Sequence, residues 1–372
     1  MITHYSGRLL SLAAPLIALL PVTTVYAQQP FDSSAFNISG AEWRVESYAG
    51  QSSLMLRNGA AWLKGSHFDN GTIEFDAAFS NSTAFPGIAF RAATHDDYEL
   101  FYLRATRSGM WDATQYTPVL HGVYGWQIYT GPAYNAPVEL AFERWMHIKL
   151  VVSGTRANVF VGSDTVSQVI PLLRGPGQAG EVGLVVGPGS AHFANLVVHS
   201  ENAPRLSGVV PQVRDSTPAT IIRSWRVSSP FPESSIAAAT QLSNIPGGGT
   251  WSTLGIEERG IANLARLAGN GNGRNTVIAA VTLTTQRAET LRMRFGFSDR
   301  VRVFLNGRLV YAGNDSFAMR DRNFLGTVGL FDELALPLRS GANELWFAVS
   351  ETFGGWAVTA DLPDRSGVRV SP

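Results

Sequence analysis

From Gly71 onward, apolar and polar residues trade places at nearly every step. Ile73, Phe75, Ala77 and Phe79 fall on one side of an extended chain, and Thr72, Glu74 and Asp76 on the other. Successive side chains of a strand point to opposite faces, so this pattern marks a strand with one face buried. The same period of two runs through Ile88, Phe90 and Ala92, then Tyr98, Leu100, Tyr102 and Arg104 against Phe101 and Leu103. It returns at Met146 to Val152, Val159 to Val161, Val182 to Val186 and Phe193 to Val198. Asn70-Gly71, Ser108-Gly109, Gly122, Ser153-Gly154 and Gly187-Pro188-Gly189 read as turns between these runs. With 37 Gly and 19 Pro in the chain and no long helical window, the pattern predicts a two-sheet antiparallel sandwich over residues 31–200.

Residues 201–220 carry Pro204, Pro211 and Pro218 among few apolar pairs and read as a linker. A second β region, 221–372, follows. Leu291, Met293, Phe295 and Phe297 alternate with Arg292 and Arg294, and Val301 to Leu305 runs into Asn306-Gly307 and then Arg308 to Tyr311. Asn-Gly between alternating strands is a hairpin signal, because a type I′ turn needs positive φ at both central residues. Periodicity does not decide between helix and strand for 255–269. The expected fold class is all-β, with two antiparallel β-sandwich (jelly-roll) domains in tandem.

The N-terminus has a different logic. Arg8 precedes an apolar run from Leu9 to Leu20, then Pro21 and Val25-Tyr26-Ala27. A positive start, a short apolar run and small residues before Gln28 predict a signal peptide over 1–27, cleaved after Ala27. The run is shorter than the roughly 20 apolar residues of a membrane span. No membrane insertion is therefore expected once the peptide is removed. The chain has no cysteine, which excludes disulfides, Cys-ligated zinc, a thiol nucleophile and a lipid anchor on Cys. Export without bridges points to a secreted or periplasmic bacterial protein. Lys+Arg and Asp+Glu balance at 29 each, so no overall field attracts nucleic acid or an anionic membrane.

Between Asp97 and Pro137 the chain concentrates Tyr and Trp among Arg, Asp, Gln and Asn. Rings with a polar tip, mixed with planar amides and guanidinium groups, suit a surface that stacks on an apolar face and hydrogen-bonds around it, and sugars present both. Alternation sends Phe101 and Leu103 inward and Tyr98, Tyr102 and Arg104 outward, with Arg91 pointing the same way from the preceding strand. Gln115, Tyr116, Trp126, Gln127 and Tyr129 follow in a turn-rich stretch. These nine residues are the predicted ligand site, expected to converge on one concave surface. The competing reading makes the same rings packing residues of the sandwich.

The block GTIEFDAAF, the stretch DYELFYLR with DATQYTPV and GWQIYTGP, and WMHIKLVVSG resemble the concanavalin A-like, laminin-G-type sandwiches of secreted bacterial proteins. SDRVRVFLNGRLVYAGN, FLGTVGLFDELALPL and GANELWFAVSETFGGWA resemble the galactose-binding-like jelly rolls found beside glycosidase domains. The resemblance implies glycan recognition or processing. Retaining glucanases of the first class carry Glu-x-Asp-x-Glu on one strand, and here Glu74 and Asp76 are followed by Ala78 and Phe79, which breaks that motif.

Three readings follow: a secreted glycan-binding protein; a glycoside hydrolase-like enzyme with an acid/base pair drawn from Glu74, Asp76, Glu99 and Asp112; and a cell-surface protein-interaction module. No cofactor is required by the sequence. His95, Asp96 and Asp97 are the one candidate for calcium, short of the six oxygens such a site needs. The remaining histidines lack ligand spacing, no Gly-x-Ser-x-Gly elbow occurs, and Gly269 to Gly273 lacks the setting of a phosphate loop. Arg292, Arg294, Arg300 and Arg302 form a possible basic stripe, and Trp356 either caps a sugar or plugs the sandwich.

Overall fold

The computed structural model describes residues 25–26, 31–211 and 217–372. Cleavage after Ala27 and most of the predicted signal peptide fall outside the described residues, as do residues 212–216 of the predicted linker. No helix among the described residues is long and apolar enough to cross a membrane.

The first half is built from β1 (Val25–Tyr26), β2 (Phe36–Tyr48), β3 (Gln51–Leu63), β4 (Gly71–Ala78), β5 (Pro86–Thr94) and β6 (Asp97–Leu103). It continues with β7 (Thr114–Leu120), β8 (Val123–Tyr124), β9 (Met146–Ser153), β10 (Arg156–Val161), β11 (Gln168–Pro171) and β12 (Glu181–Ser200). Three long strands serve two sheets at once. The first part of β12 pairs with β5 and with Gly59 to Trp62 of β3; its second part pairs with β4 and with Leu54 to Arg57 of β3. β2 follows β3 across the same bend. The front sheet therefore runs β2-β3-β12-β5-β6-β7-β8, and the back sheet β2-β3-β12-β4-β9-β10-β11.

Gly187-Pro188-Gly189 is a shift of register inside β12, where a turn was expected. Gly189 has φ +110, and a Cβ there would lie 2.1 Å from the Thr83 carbonyl oxygen. Extra residues in one strand bend it and let it change sheets. β2 and β3 gave little alternation in the sequence because β3 is flanked on both edges and switches sheets at Asn58-Gly59, so Leu54, Met55 and Leu56 are all buried. Ile73, Phe75, Ile88, Phe90, Phe101, Leu103, Ile148, Leu150, Leu184 and Phe193 fill the space between the sheets, as alternation predicts.

The second half contains β13 (Ser224–Ser228), β14 (Trp251–Gly255), β15 (Ala262–Asn263), β16 (Thr276–Thr285), β17 (Glu289–Ser298) and β18 (Arg300–Leu305). Then come β19 (Arg308–Asn314), β20 (Asp332–Leu338), β21 (Gly341–Ser350), β22 (Ala357–Asp361) and β23 (Arg369–Ser371). One sheet runs β14-β13-β16-β21-β18-β19 with β23 on β16; the other runs β15-β22-β17-β20. Trp225, Val277, Phe295, Phe297, Phe347 and Val358 pack between them. The chain is thus all-β, with two antiparallel sandwiches in tandem. Asn306 (φ 51) and Gly307 (φ 78) make the expected hairpin turn. Residues 255–269 are neither a regular helix nor one strand, but short 3-10 turns around β15. Trp356 is fully buried and donates its Nε1–H to the Val349 carbonyl at 3.0 Å, so it plugs the sandwich. The arginine stripe is spent on local partners: Arg294 on Asp361, Arg300 on Glu233, Arg292 on Asp364 and Arg302 on the Ala239 carbonyl.

The two cores meet. Ile261, Val328 and Ala357 join the first core, and Leu120 and Val123 join the second. At this seam Gln127 uses every polar group it has. Its backbone N–H donates to Gly354 and its carbonyl accepts from Val328; its amide nitrogen donates to the Leu325 carbonyl, and its amide oxygen accepts from Ser298. The turn presenting Gly354 is itself held by buried carboxyls. Asp299 accepts the N–H groups of Thr352 (2.9 Å) and Phe353 (3.1 Å), and Glu351 accepts that of Gly355 (3.0 Å).

Burial, with Asp299 beside it, pushes the Glu351 carboxyl up from 4.5 to about 8. A carboxyl that is protonated in the fold and ionised in the unfolded chain stabilises fully below its unfolded value, and that contribution is lost as pH rises through the folded value. Urea midpoints should therefore contain a component that falls between about pH 5 and pH 9. Glu351→Gln, which stays neutral throughout, should remove that component. Identical pH profiles for the two proteins would show that Glu351 is ionised in the fold.

Candidate functional site

Strand pairing lays out the outer face of the front sheet residue by residue. One row across it reads Trp62, Gly183, Ala89, Leu100 and Thr117; the next reads Ala60, Val185, Gly87, Tyr102 and Gln115. Tyr98, Val119 and Tyr124 continue the face toward the start of β6. Its middle strands carry small side chains, while Trp62 stands on one side and Tyr98, Leu100 and Tyr102 on the other. The small residues are required by the rings and by the backbone. A Cβ on Gly183 would lie 2.5 Å from the Trp62 ring, and one on Gly87 would lie 2.2 Å from the Phe101 carbonyl oxygen and 2.6 Å from the Tyr102 Cβ. Small residues underneath let the Trp62 and Tyr98 rings lie down over the strands and meet at 5.4 Å, and the shallow groove of this face runs beside them, along Tyr102 and Tyr124.

The walls are braced by neighbouring rings. His95 stacks on Trp62 (4.2 Å, 5°), Tyr98 meets Trp62 edge-on at 5.4 Å, and Phe85 meets Tyr102 edge-on at 5.9 Å. Tyr98 and Tyr124 share a hydroxyl contact of 3.3 Å. Trp62 and Tyr98 are each 5% exposed, so these outward rings are recessed, while Tyr102 is half-buried and Tyr124 exposed. Burial raises the pKa of both Tyr98 and Tyr102. Their hydroxyls are neutral at ordinary pH and able to donate as well as accept.

The nine predicted site residues do not converge; they divide among three places. Tyr98 and Tyr102 line the groove, and Arg104 follows at the end of β6, paired with Asp112 at 2.9 Å. Arg91 was expected on this face and is turned away from it. A bulge in β5 puts Arg91 at φ +52, and its buried guanidinium donates to the carbonyls of Asp69 and Gly154 and to the Asn70 side chain. The same bulge brings Ala92 to the outer face, against the alternation.

The remaining five are packing and seam residues. Tyr116 points inward and donates its hydroxyl to Glu99 at 2.6 Å. Gln115 is outward by register but covered by the segment after β8. Its amide donates to the carbonyls of Tyr116 and Tyr129 and accepts from Asn135. Trp126 is 9% exposed and packs against Phe353 (5.5 Å) and Phe317 (6.4 Å) of the second sandwich, so it offers no open platform. Gln127 is consumed at the seam as described, and Tyr129 donates to Glu257 at 2.6 Å and accepts from Asn263 at 3.0 Å. The physical reason is shared: an aromatic or amide group serves a core or an interdomain contact as well as it serves a ligand.

The four carboxylates considered for acid/base chemistry are equally dispersed. Glu74 and Asp76 stand on the outer face of the back sheet, both within ion-pair distance of His147 (3.3 and 2.8 Å). Glu99 is sealed in the first core, its pKa raised by burial against the lowering effect of Tyr116. Asp112 is held between Arg104 and Arg107. None lies on the groove rows. The calcium candidates are engaged locally: His95 pairs with Glu181 at 2.9 Å, and Asp97 accepts the His121 N–H at 2.9 Å. No group of three or more metal-ligating side chains occurs among the described residues.

Sequence reasoning missed Trp62, Gly87, Ala89 and Gly183. The alternating Gly-x-Ala at 87–89 was a readable signal for a strand whose outer face must stay flat; Trp62 lay in a strand with no clean period.

No protein-family model matches the chain, and no curated protein does. Solved structures similar to it include the carbohydrate-binding module CBM66 from Bacillus subtilis, at 14% identity and TM-score 0.36 over 46% of this chain and 100% of that one. A Bacillus licheniformis beta-glucanase is similar at 8% identity and TM-score 0.35, over 48% and 98%. A Bacteroides ovatus mixed-linkage glucan GH16, solved with a G4G4G3G product, is similar at 10% identity and TM-score 0.35, over 47% and 99%.

The burial of Trp126 has a direct consequence. Trp126→Ala should destabilise the protein by roughly 3 to 5 kcal/mol, as large-to-small changes of buried aromatics do. Thermal or urea unfolding of the purified variant measures this. A melting temperature within a degree or two of wild type would mean that the ring is exposed in solution.

Proposed function

We propose that the protein is an exported glycan-binding protein and that the groove on the front sheet is its binding face. The observation that carries this reading is the pattern Trp62, Gly183, Ala89, Leu100 and Ala60, Val185, Gly87, Tyr102 across adjacent strands. A sugar ring alternates C–H faces with a rim of hydroxyls. Tyr102 and Tyr124 keep accessible ring surface for stacking, while the phenol tips of Tyr98, Tyr102 and Tyr124 supply hydrogen bonds that can be given or received. His95, half-exposed and stacked on Trp62, occupies the place a sugar ring would take on that indole.

Two features favour binding over hydrolysis and over a flat protein contact. The carboxylates Glu74, Asp76, Glu99 and Asp112 stand away from the groove rows, so none of these four faces a glycosidic bond held there. The face presents rings with phenol tips rather than an unbroken apolar patch, which suits a ligand that carries hydroxyls.

Tyr102→Ala should weaken binding to the glycan identified on an array by roughly tenfold or more, the value of one lost ring contact. Tyr124→Ala should have a smaller effect in the same direction, and both variants should melt near wild type. Release of reducing ends by the wild-type protein would favour the enzyme, and full affinity in both variants would refute the groove.

A further inference from the structure

A second cavity lies at the seam, on the far side of the segment that covers Gln115. Its inner lobe, about 260 Å³, is walled by Ile128, Leu173 and the rings of Tyr129 and Tyr134, with Glu257, Glu258, Arg259 and Arg266 around them. Its outer lobe, about 500 Å³, shares Tyr134 and Glu258 and adds Arg156 from the start of β10. Both sandwiches contribute, so the cavity exists only in the docked pair.

The charges in it are not all spent. Glu257 accepts from Arg266 at 2.7 Å and from Tyr129, which closes that group. Glu258 accepts a single hydrogen bond, from Tyr134 at 3.2 Å. Arg259 donates to the Ile128 carbonyl and approaches the Thr130 hydroxyl at 3.5 Å. Among the described residues neither Arg259 nor Arg156 has a carboxylate within ion-pair distance. Arg259 also sits at φ +62, a backbone conformation costly for a residue with a side chain. The fold thus holds the Arg259 guanidinium in the cavity wall next to the Tyr134 ring, attracted by the Glu258 carboxylate but, among the described residues, without an ion-pair contact to it. A bare inorganic anion would leave that apolar wall and most of the volume unused. A ligand with a ring, hydroxyls and one carboxylate uses all of it.

We propose that the seam cavity is a second binding site, and that it takes the acidic end of a saccharide, a uronate residue. The ring enters the inner lobe against Tyr134, with a hydroxyl donating to Glu258. The carboxylate meets the Arg259 guanidinium in the inner lobe, and the next acidic sugar lies in the outer lobe with its carboxylate toward Arg156.

The test is calorimetric titration of the purified full chain with glucuronate, galacturonate and mannuronate disaccharides, with their uncharged counterparts, and with acetate. At least one uronate disaccharide should bind, its uncharged counterpart should not, and acetate should fail to compete. Arg156→Ala removes an exposed side chain with no ion-pair partner among the described residues, so it should fold normally and weaken uronate binding about tenfold, with Arg156→Lys recovering part of the loss. Tyr102→Ala, in the groove, should leave uronate binding unchanged. That variant keeps this proposal distinct from the groove reading, because each site is lost by a substitution that spares the other. No uronate binding, equal binding of the uncharged sugars, competition by acetate alone, full affinity in Arg156→Ala, or loss in Tyr102→Ala would each overturn it.

Discussion

A buried amide must find partners for both its ends, and Gln127 finds all of its partners in the other sandwich. Leaving one such group unpaired costs about 1 to 3 kcal/mol, so the side chain specifies one docked arrangement among the many a tandem of sandwiches could adopt. The geometry of everything nearby follows from it. The segment from Tyr124 to Asn135 is held at Gln127 by the second sandwich and at Tyr129 and Asn135 by Gln115 of the first. Stretched between those points, it closes the open edge at β7, covers the outward side of Gln115, and delivers Tyr129 and Tyr134 to the seam. The front groove ends where that segment begins.

This arrangement explains why one sheet edge can border two cavities of different character. In the groove the rings project from regular strands, and their spacing is set by the pleat: Tyr98 and Tyr102 are four residues apart on one face of β6. In the seam the rings come from an irregular segment, and their positions are set by hydrogen bonds to Glu257 and Glu258 across the contact. Rings placed by a pleat form a repeating surface. Rings placed by acids and guanidinium groups form a charged pocket that is lost when the domains part.

The strands were legible in the sequence wherever one face of a strand is buried and the other free. Ile73, Phe75 and Ala77 on β4, Phe101 and Leu103 on β6, and Asn306-Gly307 between β18 and β19 are where alternation and turn chemistry place them. Legibility fails where a second constraint overrides the period of two. β3 is covered on both sides and changes sheets, so its apolar residues run together. A bulge at Arg91 flips one residue and its successor to the wrong faces, and nothing local in Phe-Arg-Ala-Ala announces it. The site was half-legible for a related reason. Composition identified rings with polar tips between Asp97 and Pro137 but carried no information about whether another domain would cover them.

The residues that mark cover are the partners of the rings. Tyr102 stands with Leu100, Ala89 and Gly87, neighbours that offer no competing hydrogen bond, and Tyr98 meets only another phenol, Tyr124, at 3.3 Å. Tyr116 and Tyr129 have their hydroxyls consumed by Glu99 and Glu257, both far away in sequence. A phenol paired with a carboxylate is already satisfied and is best used as structure. A phenol above glycine and alanine is unfinished. On that criterion the groove and the seam separate without reference to exposure. The same criterion singles out Arg156 and Arg259 within the seam, where among the described residues these two cations have no carboxylate within ion-pair distance.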